Sequence, residues 1–417
     1  MAYIQVEGGN PLKGSLVVQG AKNAVLPILS AALLHKGTTE LSEVPDISDV
    51  RDTLELLKLL GCRVEKQGHR VVIRAEGHLS GSLPQRMVGR MRSSFLLAGA
   101  MLGREGRLET FYPGGCTIGA RPIDLHLAGL RSMGAEYVID RDRISLWAKR
   151  LQGTDLKLSY PSVGATENLL LAAALAEGVT TLKGAAREPE IQALITCLNG
   201  MGADIREDKG TLIITGVSRL QDSAYEIPGD RIVAGTILAA VGSCGGEVRL
   251  EHIEPEGLRG VLEALRQAGM ELWTDEVKHT IRARAASPLP RGMKLVTGPF
   301  PEFPTDLQAI FMAMLSVAGE ESKIQETVFE SRFRHVKQLR RLGAEIEVVG
   351  DTARIAGGST LQGGLVEAQD LRAGAALAVA GLAAEGITLI SHAEYIARGY
   401  EDLPGVLQRL GAHVALL

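Results

Sequence analysis

A leucine-led phrase closed by glycine recurs along the chain, each time at the end of a run in which apolar positions repeat with helical period. Its six copies are LKLLG at 57–61, LRSMG at 130–134, LNGMG at 198–202, LRQAG at 265–269, LRRLG at 339–343 and LQRLG at 407–411. The closing glycines are 67 to 74 residues apart. This spacing indicates that the whole chain is six copies of one unit.

Each copy of the phrase predicts a helix, a turn and a strand. The glycine stands where the end of a helix needs a left-handed residue, and alternating segments such as 203–207 and 344–349 follow it. Ahead of each phrase lies an alanine-rich, apolar helix pattern, such as 169–176 or 310–317, and then a short β-branched run such as 179–182. One unit therefore contains two helices and several strands, an α/β arrangement. The repeat alone could equally record duplication without chemical meaning.

Length and composition narrow the class of protein. A chain of 417 residues is too long for one ordinary core, and two domains are the working interpretation. Hydrophobic residues make up 45% and charged residues 23%, which argues against disorder. The net charge of −4 offers no field for polyanions, so no nucleic-acid partner is expected. No signal-like N-terminus or bilayer-length apolar run is found, so we expect no membrane insertion and a cytoplasmic location.

The cysteines differ in context. Cys62, Cys116, Cys197 and Cys244 lie far apart without a CxxC pair, which favours neither a zinc site nor a disulfide framework. Cys116 lies in the glycine-rich segment 113–122, where a thiol has little packing value, and is a candidate for acid, base or nucleophile chemistry. Nearby Arg121 would favour its thiolate, whereas bound anions would favour the protonated acid. The other three thiols are expected to be buried packing residues.

Two predicted helix starts carry cations. Lys22 and Asn23 open a helix after the strand-like run 15–18, and free backbone NH groups there favour an anion. A surface lysine in a capping turn is the alternative. Arg92 precedes the apolar helix 95–101, and a cation in a first turn opposes the helix dipole, which indicates that it answers a ligand's charge.

A carboxylate and two loop cations complete the candidates. Asp306 follows a proline-rich turn at the start of the predicted helix 307–317, where Thr305 or Asp306 is most simply interpreted as an N-cap or first-turn acid. Arg332 and Arg398 lie in predicted loops. His126 and His335 have structural interpretations as good as functional ones, and no His or carboxylate cluster has metal-ligand spacing, so neither a metal nor an organic cofactor is expected.

Nine phrases taken together resemble one family. They are QGAKNAVLP, MRSS, PGGCTIGARPIDLH, PSVGATEN, AAREPEI, FPTDLQA, TVFESRF, AQDLRAG and ARGYE. In order and spacing they resemble the UDP-N-acetylglucosamine 1-carboxyvinyltransferases, from residue 6 to the last repeat. The resemblance implies a two-domain, inside-out α/β barrel in which each domain has three βαβαββ-type repeats, with buried helices and outer sheets. One domain would be 1–21 with 230–417 and the other 22–229, with the active-site cleft between them and hinge glycines at Gly20 and Gly229.

The resemblance also implies the reaction. The enolpyruvyl group of phosphoenolpyruvate would pass to the 3-hydroxyl of UDP-N-acetylglucosamine with release of phosphate, the first committed step of peptidoglycan synthesis. Asp306 would take the hydroxyl proton and Cys116 would protonate the methylene carbon, while Lys22 and Arg398 would act beside them. Cys116 would then be the target of epoxide inhibitors of the fosfomycin type.

Further residues would bind the substrates by the same resemblance. Phosphoenolpyruvate, with about three negative charges, would be held by Lys22, Arg121 and Arg398 with Arg92 beside them. The acceptor would be bound by Asn23, Arg121, Pro122, Ile123, Asp124, Leu125, Ser162, Val163, Gly164, Asp306, Val328, Arg332 and Asp370.

The sequence departs from the family pattern at three positions. Tyr160 stands where many members have lysine, Val233 where an acidic residue is frequent, and Ala397 where aspartate is usual. These departures could mark a second, divergent copy of the enzyme or a catalytically silent ligand-binding relative. The shikimate-pathway enolpyruvyl transferase is the nearest alternative enzyme, but it lacks the GGCTIGARP segment.

Overall fold

The chain forms two compact units. The computed structural model describes residues 2–114, 122–286 and 290–417. The middle unit comprises the described residues between Gly20 and Pro228, and the terminal unit comprises those up to Gln19 together with Gly229–Leu417. Cys116 and Arg121 lie outside the described residues.

The two units contain helices and strands in similar proportion. The middle unit has the helices α1 Lys22–Ala31, α2 Ser48–Leu60, α3 Gln85–Val88, α4 Leu97–Glu105, α5 Asp124–Ser132, α6 Val163–Ala173 and α7 Pro189–Gly200, and the strands β3 Thr38–Ser42, β4 Arg63–Gln67, β5 Arg70–Arg74, β6 Arg107–Phe111, β7 Glu136–Asp140, β8 Arg143–Trp147, β9 Asp155–Lys157, β10 Val179–Lys183, β11 Asp204–Asp208, β12 Thr211–Thr215 and β13 Ser223–Glu226. The terminal unit has the helices α8 Arg231–Cys244, α9 Arg259–Gln267, α10 Gln308–Leu315, α11 Val336–Arg341, α12 Leu371–Ala383 and α13 Leu403–Arg409, and the strands β1 Tyr3–Glu7, β2 Leu12–Val17, β14 Gly246–Glu251, β15 Glu271–Asp275, β16 Thr280–Ala285, β17 Lys294–Val296, β18 Ser322–Gln325, β19 Ile346–Val349, β20 Thr352–Ile355, β21 Leu365–Glu367, β22 Ile387–Ser391 and β23 His413–Leu416. Short 3₁₀ segments at Ala32–Leu34, Arg92–Leu96, Pro255–Leu258, Thr305–Leu307 and Ala393–Arg398 adjoin these elements.

The six repeated phrases end six helices in the same way. Their closing glycines all have left-handed φ angles, from 112° at Gly61 to 91° at Gly134. In every copy the amide after the glycine donates to the carbonyl of the leucine that opens the phrase, as Ala203 does to Leu198 at 3.0 Å. The glycine's own amide donates to the residue after that leucine, which completes a Schellman cap. The prediction of a helix, turn and strand is confirmed in all six copies.

Each unit is built from three sheets. In the middle unit the strand orders are β13-β3-β5-β4, β6-β8-β7 and β11-β12-β10-β9, and in the terminal unit they are β21-β22-β1-β23, β15-β16-β14-β2 and β17-β18-β20-β19. Every four-stranded sheet has one parallel pair at its edge, followed by antiparallel strands. The N-terminal strands belong to the terminal unit because β1 lies antiparallel between β22 and β23, while β2 pairs in parallel with β14.

Three helices fill the centre of each unit. In the terminal unit α8, α10 and α12 pack on one another, and every residue of α8 and α10 is buried. In the middle unit α1, α4 and α6 do the same, and the strands around them alternate buried and exposed positions. A helix that is apolar on all sides must be covered on all sides. The predicted arrangement of buried helices and outer sheets is confirmed.

Gly20 and Gly229, where the chain passes between the two units, have a steric reason to be glycine. A Cβ on Gly20 would lie 1.9 Å from the carbonyl oxygen of Glu43, and a Cβ on Gly229 would lie 1.7 Å from that of His252. No side chain fits at such distances. Close backbone packing therefore explains both glycines, whether or not they also serve as hinges.

Candidate functional site

The polar residues of the terminal unit gather where its central helices begin. Asp230 caps α8 by accepting hydrogen bonds from the amides of Ile232 and Val233, at 2.8 and 3.1 Å. Asp370 caps α12 in the same way, through the amides of Arg372 and Ala373 at 2.8 and 2.9 Å. Both aspartates satisfy amides that the first turn of a helix leaves without partners. For Asp370, predicted to bind substrate, the structure thus supplies a capping role.

Asp306 lies between two guanidinium groups. Its Oδ1 accepts from Arg332 Nη2 and its Oδ2 from Arg372 Nη2, both at 2.8 Å. The arginine side chains are 5% and 6% exposed, whereas that of Asp306 is 28% exposed. Each carboxylate oxygen therefore has a charged donor, and one face of the group still reaches solvent. This is a preorganised electrostatic site, in which dipoles and charges are fixed before any ligand arrives.

Of the two local interpretations, the N-cap is wrong, whereas Asp306 does lie in the first turn of the 3₁₀ segment Thr305–Leu307, as a first-turn acid would. Neither side chain caps a helix, because no side-chain cap bond is present at the start of the 3₁₀ segment or of α10. Thr305 Oγ1 instead donates to Glu326 Oε2 at 2.9 Å, and Asp306 faces the two arginines. Local sequence could not reveal this, because Arg372 is 66 positions further along the chain.

Arg372 is held from a second side. Its Nη1 donates to the Tyr400 hydroxyl at 3.4 Å, and its guanidinium carbon lies 5.8 Å from the centre of the Tyr400 ring. Burial alone would lower the pKa of Arg372, but the carboxylate of Asp306, assisted by Tyr400 and Asp230, raises it above its usual value. Arg372 is therefore a permanent cation at this site.

Hydrogen bonds also hold the segments that carry Arg332, Val328 and Arg398. Arg398 ends a 3₁₀ segment, and just beyond it Gln19 donates to the Gly399 carbonyl at 3.1 Å and accepts from the Glu401 amide at 2.9 Å. The amide of Val328 donates to Glu326 Oε1 at 2.9 Å. Glu326 thus bridges the helix start at Thr305 and the segment before Arg332.

Lys22 of the middle unit is not a surface lysine. Its Nζ lies 2.7 Å from Asp49 Oδ2, and the two side chains are 11% and 6% exposed. The prediction that α1 begins at Lys22 is confirmed. Asn23, the next residue, is half-buried, and Arg92 Nη2 donates to the carbonyl of Pro122 at 2.9 Å. That bond ties the start of α4 to the segment 122–125.

The start of α6 meets the start of α5. Ser162 caps α6 by accepting from the Ala165 amide at 3.3 Å, and a Cβ on Gly164 would lie 3.2 Å from His126 Cε1. Asn168 bonds to the His126 ring at 3.0 Å. Of the residues predicted to cradle the acceptor in this unit, Ile123 is buried, Leu125, Val163 and Gly164 are half-buried, and Pro122 and Asp124 are exposed.

A carboxylate that the sequence did not single out is buried next to this segment. Glu167 in α6 is 5% exposed. Burial, with the charges of Glu190 and Glu188, raises its pKa well above the usual range. The remaining described thiols fit the packing prediction, because Cys62, Cys197 and Cys244 are all buried and unbridged.

Comparison with known proteins identifies the family. The model for EPSP synthase (3-phosphoshikimate 1-carboxyvinyltransferase) matches residues 6–407. UDP-N-acetylglucosamine 1-carboxyvinyltransferase 2 of Carboxydothermus hydrogenoformans is 44% identical over 99% of this chain and 99% of its own length. The chain belongs to this carboxyvinyltransferase family. A further member, UDP-N-acetylglucosamine 1-carboxyvinyltransferase of Desulfosudis oleivorans, is 43% identical with the same coverage.

Solved structures of carboxyvinyltransferase relatives share the fold. The enolpyruvyl transferase NikO of Streptomyces tendae superposes with a TM-score of 0.89 at 24% identity, covering 100% of this chain and 98% of its own. EPSP synthase of Acinetobacter baumannii superposes with a TM-score of 0.79 at 20% identity, covering 100% and 99%. The expected two-domain α/β fold is confirmed, and the enzyme is a transferase.

Three residues of this carboxyvinyltransferase's sites were missed by the sequence reasoning. Arg372 and Tyr400 lie within the phrases AQDLRAG and ARGYE, and Asp49 lies in the first turn of α2. Only their contacts with Asp306 and Lys22 distinguish them. Across the described ranges, none of the helices is long and apolar enough to cross a membrane, and three or more metal-ligating side chains are nowhere grouped.

Proposed function

We propose that this transferase moves the enolpyruvyl group of phosphoenolpyruvate to the 3-hydroxyl of UDP-N-acetylglucosamine and releases phosphate. The names of relatives at 43% and 44% identity over nearly the whole chain support this choice of acceptor. We further propose that this reaction is the first committed step of peptidoglycan synthesis.

One observation carries the chemical part of the proposal. Asp306 is a half-exposed carboxylate whose two oxygens are each 2.8 Å from a buried guanidinium. Such a group can accept a hydroxyl proton, and the adjacent cations can stabilise charge that develops beside it. Removal of the proton from the 3-hydroxyl would let that oxygen bond to C2 of phosphoenolpyruvate.

A second proton must reach the methylene carbon. We assign this step to Cys116, which lies outside the described residues. Its S–H would protonate C3 while the new C2–O bond forms, giving a tetrahedral phospholactoyl intermediate. Loss of a proton from the methyl group and of inorganic phosphate from C2 then regenerates the vinyl ether. Protonation of C3 should wait until water is excluded from the site.

Cations are required to hold the donor. Phosphoenolpyruvate concentrates about three negative charges within a few ångströms, and stripping their water is costly unless fixed cations replace it. Lys22, Arg92, Arg121 and Arg398 are the proposed ligands of its phosphate and carboxylate. Lys22 is buried with Asp49 as its counter-ion, which orients its ammonium group in the absence of donor.

The acceptor would be bound largely through backbone groups. The proposed contacts for the uridine and diphosphate are the segment Arg121–Leu125 with Ser162, Val163, Gly164 and Val328, and those for the sugar include Asn23, Arg332 and Asp370. Ser162 opens α6, where amide groups at the helix start favour an anionic ligand. Tyr160, which stands near this segment, is 44% exposed and brings no charge to a diphosphate.

Phosphate release tests the proposal directly. Purified chain is incubated with phosphoenolpyruvate and either UDP-N-acetylglucosamine, shikimate 3-phosphate or no acceptor. Release with the first acceptor alone is expected. Release only with shikimate 3-phosphate would instead favour the activity after which the family model is named. No release with either acceptor, from folded protein, would leave a catalytically silent relative as the better description.

Alkylation by an epoxide of the fosfomycin type tests Cys116. The Cys116→Asp variant should retain phosphate release and lose sensitivity to the epoxide, because a carboxylic acid can donate a proton but is a poorer nucleophile than a thiolate. Cys116→Ala should not be alkylated. Unchanged alkylation of that variant would refute the assignment of the thiol.

A further inference from the structure

A directed hydrogen-bond chain runs from Asp306 into the core of the terminal unit. The hydroxyl of Thr236 donates to the Ile232 carbonyl at 2.7 Å, as a threonine within a helix commonly does. Thr236 has only one hydroxyl proton, so its 2.9 Å bond to Tyr400 must be donated by the tyrosine. The lone pairs of the Tyr400 oxygen are then left to accept from Arg372 Nη1 at 3.4 Å.

The order of donors is therefore set by the threonine. Arg372 donates to Tyr400, Tyr400 to Thr236, and Thr236 to the first turn of α8. All three residues are buried, at 5%, 2% and 1% exposure of the whole residue. Burial raises the pKa of the Tyr400 hydroxyl, which keeps the phenol protonated and able to donate. The guanidinium of Arg372 is fixed at one edge by this chain, and its other terminal nitrogen faces Asp306 Oδ2.

The second arginine lies outside the hydrogen-bond chain. Arg332 lies in a run of turns, 330–335, rather than in a central helix. Its guanidinium bonds to Asp306 and lies 5.6 Å from the centre of the Phe329 ring. The two oxygens of Asp306 are thus bonded to arginines on different elements, one in α12 and one in a run of turns.

We propose that Tyr400 and Thr236 are positioning residues that hold Arg372 on Asp306 Oδ2. Oδ1 is then the oxygen that exchanges Arg332 for the acceptor hydroxyl and accepts the hydroxyl proton. This rests on the proposed function. The O–H bond of the acceptor breaks as the proton moves to Oδ1, while Oδ2 keeps its bond to Arg372. The locked pair prevents the carboxylate from rotating when Arg332 is displaced. Position within a few tenths of an ångström matters for such transfers.

Steady-state kinetics of phosphate release test the chain. Tyr400→Phe removes the hydroxyl and keeps the ring, and Thr236→Val removes the next hydroxyl with nearly the same shape. We expect kcat to fall about 10-fold in Tyr400→Phe, the change that loss of one hydrogen bond to a charged group produces, with both KM values within about twofold. Thr236→Val should fall by a similar or smaller factor. The double variant should be no slower than Tyr400→Phe, because the residues act as one unit.

Two matched controls come from the same unit. Thr388 is fully buried, and among the described residues its hydroxyl has no hydrogen-bond partner, so Thr388→Val removes a threonine hydroxyl that is not part of the hydrogen-bond chain. Tyr395 is 40% exposed in the same 3₁₀ segment as Arg398, so Tyr395→Phe removes a surface phenol. Both variants should keep wild-type kcat.

The outcomes separate the two proposals. Wild-type enzyme that releases no phosphate would overturn the proposed function before any variant is compared. If the wild type is active, unchanged kcat in folded Tyr400→Phe, multiplicative losses in the double variant, or a rise in KM at constant kcat would overturn the positioning role. If Tyr400→Phe does not fold, Thr236→Val decides, and a wild-type kcat in that variant would likewise reject the chain.

Discussion

Glu167 should make the stability of this enzyme fall as pH rises. The side chain is buried in α6, and burial together with Glu190 and Glu188 raises its folded pKa well above the unfolded value of 4.5. Between those two pKa values the folded state binds more protons than the unfolded state. The stabilisation is therefore fully present below 4.5 and is lost as pH rises through the folded pKa. Glu167→Gln mimics the protonated acid at every pH and removes this dependence.

The magnitude follows from linkage. Each pH unit between the two pKa values changes the unfolding free energy by about 1.4 kcal/mol. The Glu167→Gln variant should therefore match the wild type near pH 4.5 and exceed its stability by a margin that grows with pH until the folded pKa is passed. The gain arises because the amide does not have to carry a charge in a buried position.

Urea unfolding followed by circular dichroism from pH 5 to pH 8 measures this difference. Glu136→Gln is the matched control, because Glu136 is exposed in the same unit and its replacement should leave the pH profile of the wild type unchanged. Parallel profiles for wild type and Glu167→Gln would refute the reasoning. A Glu167→Gln variant less stable than wild type at pH 7 would show that the carboxylate is charged and well paired.

Three further outcomes are expected. Gly343→Ala, at a φ of 96°, should lower the unfolding free energy by about 1 kcal/mol in thermal melts, whereas Gly77→Ala, which has open space around it, should change it by less than about 0.5 kcal/mol. Asp370→Ala should cost about 1 kcal/mol as a lost N-cap and should raise the KM for UDP-N-acetylglucosamine in steady-state assays, because Asp370 is a proposed contact of the sugar; an unchanged KM would restrict Asp370 to its capping role. Iodoacetamide at pH 8, read by intact mass, should label Cys116 alone in the native enzyme. Burial raises the pKa of Cys62 to about 11 and the pKa values of Cys197 and Cys244 to about 12. These three thiols should therefore react only after unfolding.

Much of the fold was readable from the sequence because its determinants are local. A Schellman cap needs a glycine at one position and a helical run before it, so six copies of one phrase predicted six helix ends. An apolar run such as that of α10 predicts burial whatever covers it. The interpretation of Cys62, Cys197 and Cys244 as packing residues succeeded for the same reason.

The contacts of the candidate site depended on the tertiary structure. From its neighbours in sequence Asp306 was interpreted as an N-cap or a first-turn acid. It does lie in the first turn of a 3₁₀ segment, yet its partners are Arg332 and Arg372, 26 and 66 residues away. The alternative interpretation of Lys22 as a surface lysine was wrong, because α2 places Asp49 beside it in a buried ion pair.

Sequence alone therefore determined the repeat, its helix ends and the burial of its central helices, whereas tertiary structure decided which charges face one another. The physical reason is range. Helix periodicity and capping act over about four residues. Ion pairs form between any groups that the packing of distant helices brings within hydrogen-bond distance, as α12 brings Arg372 to Asp306.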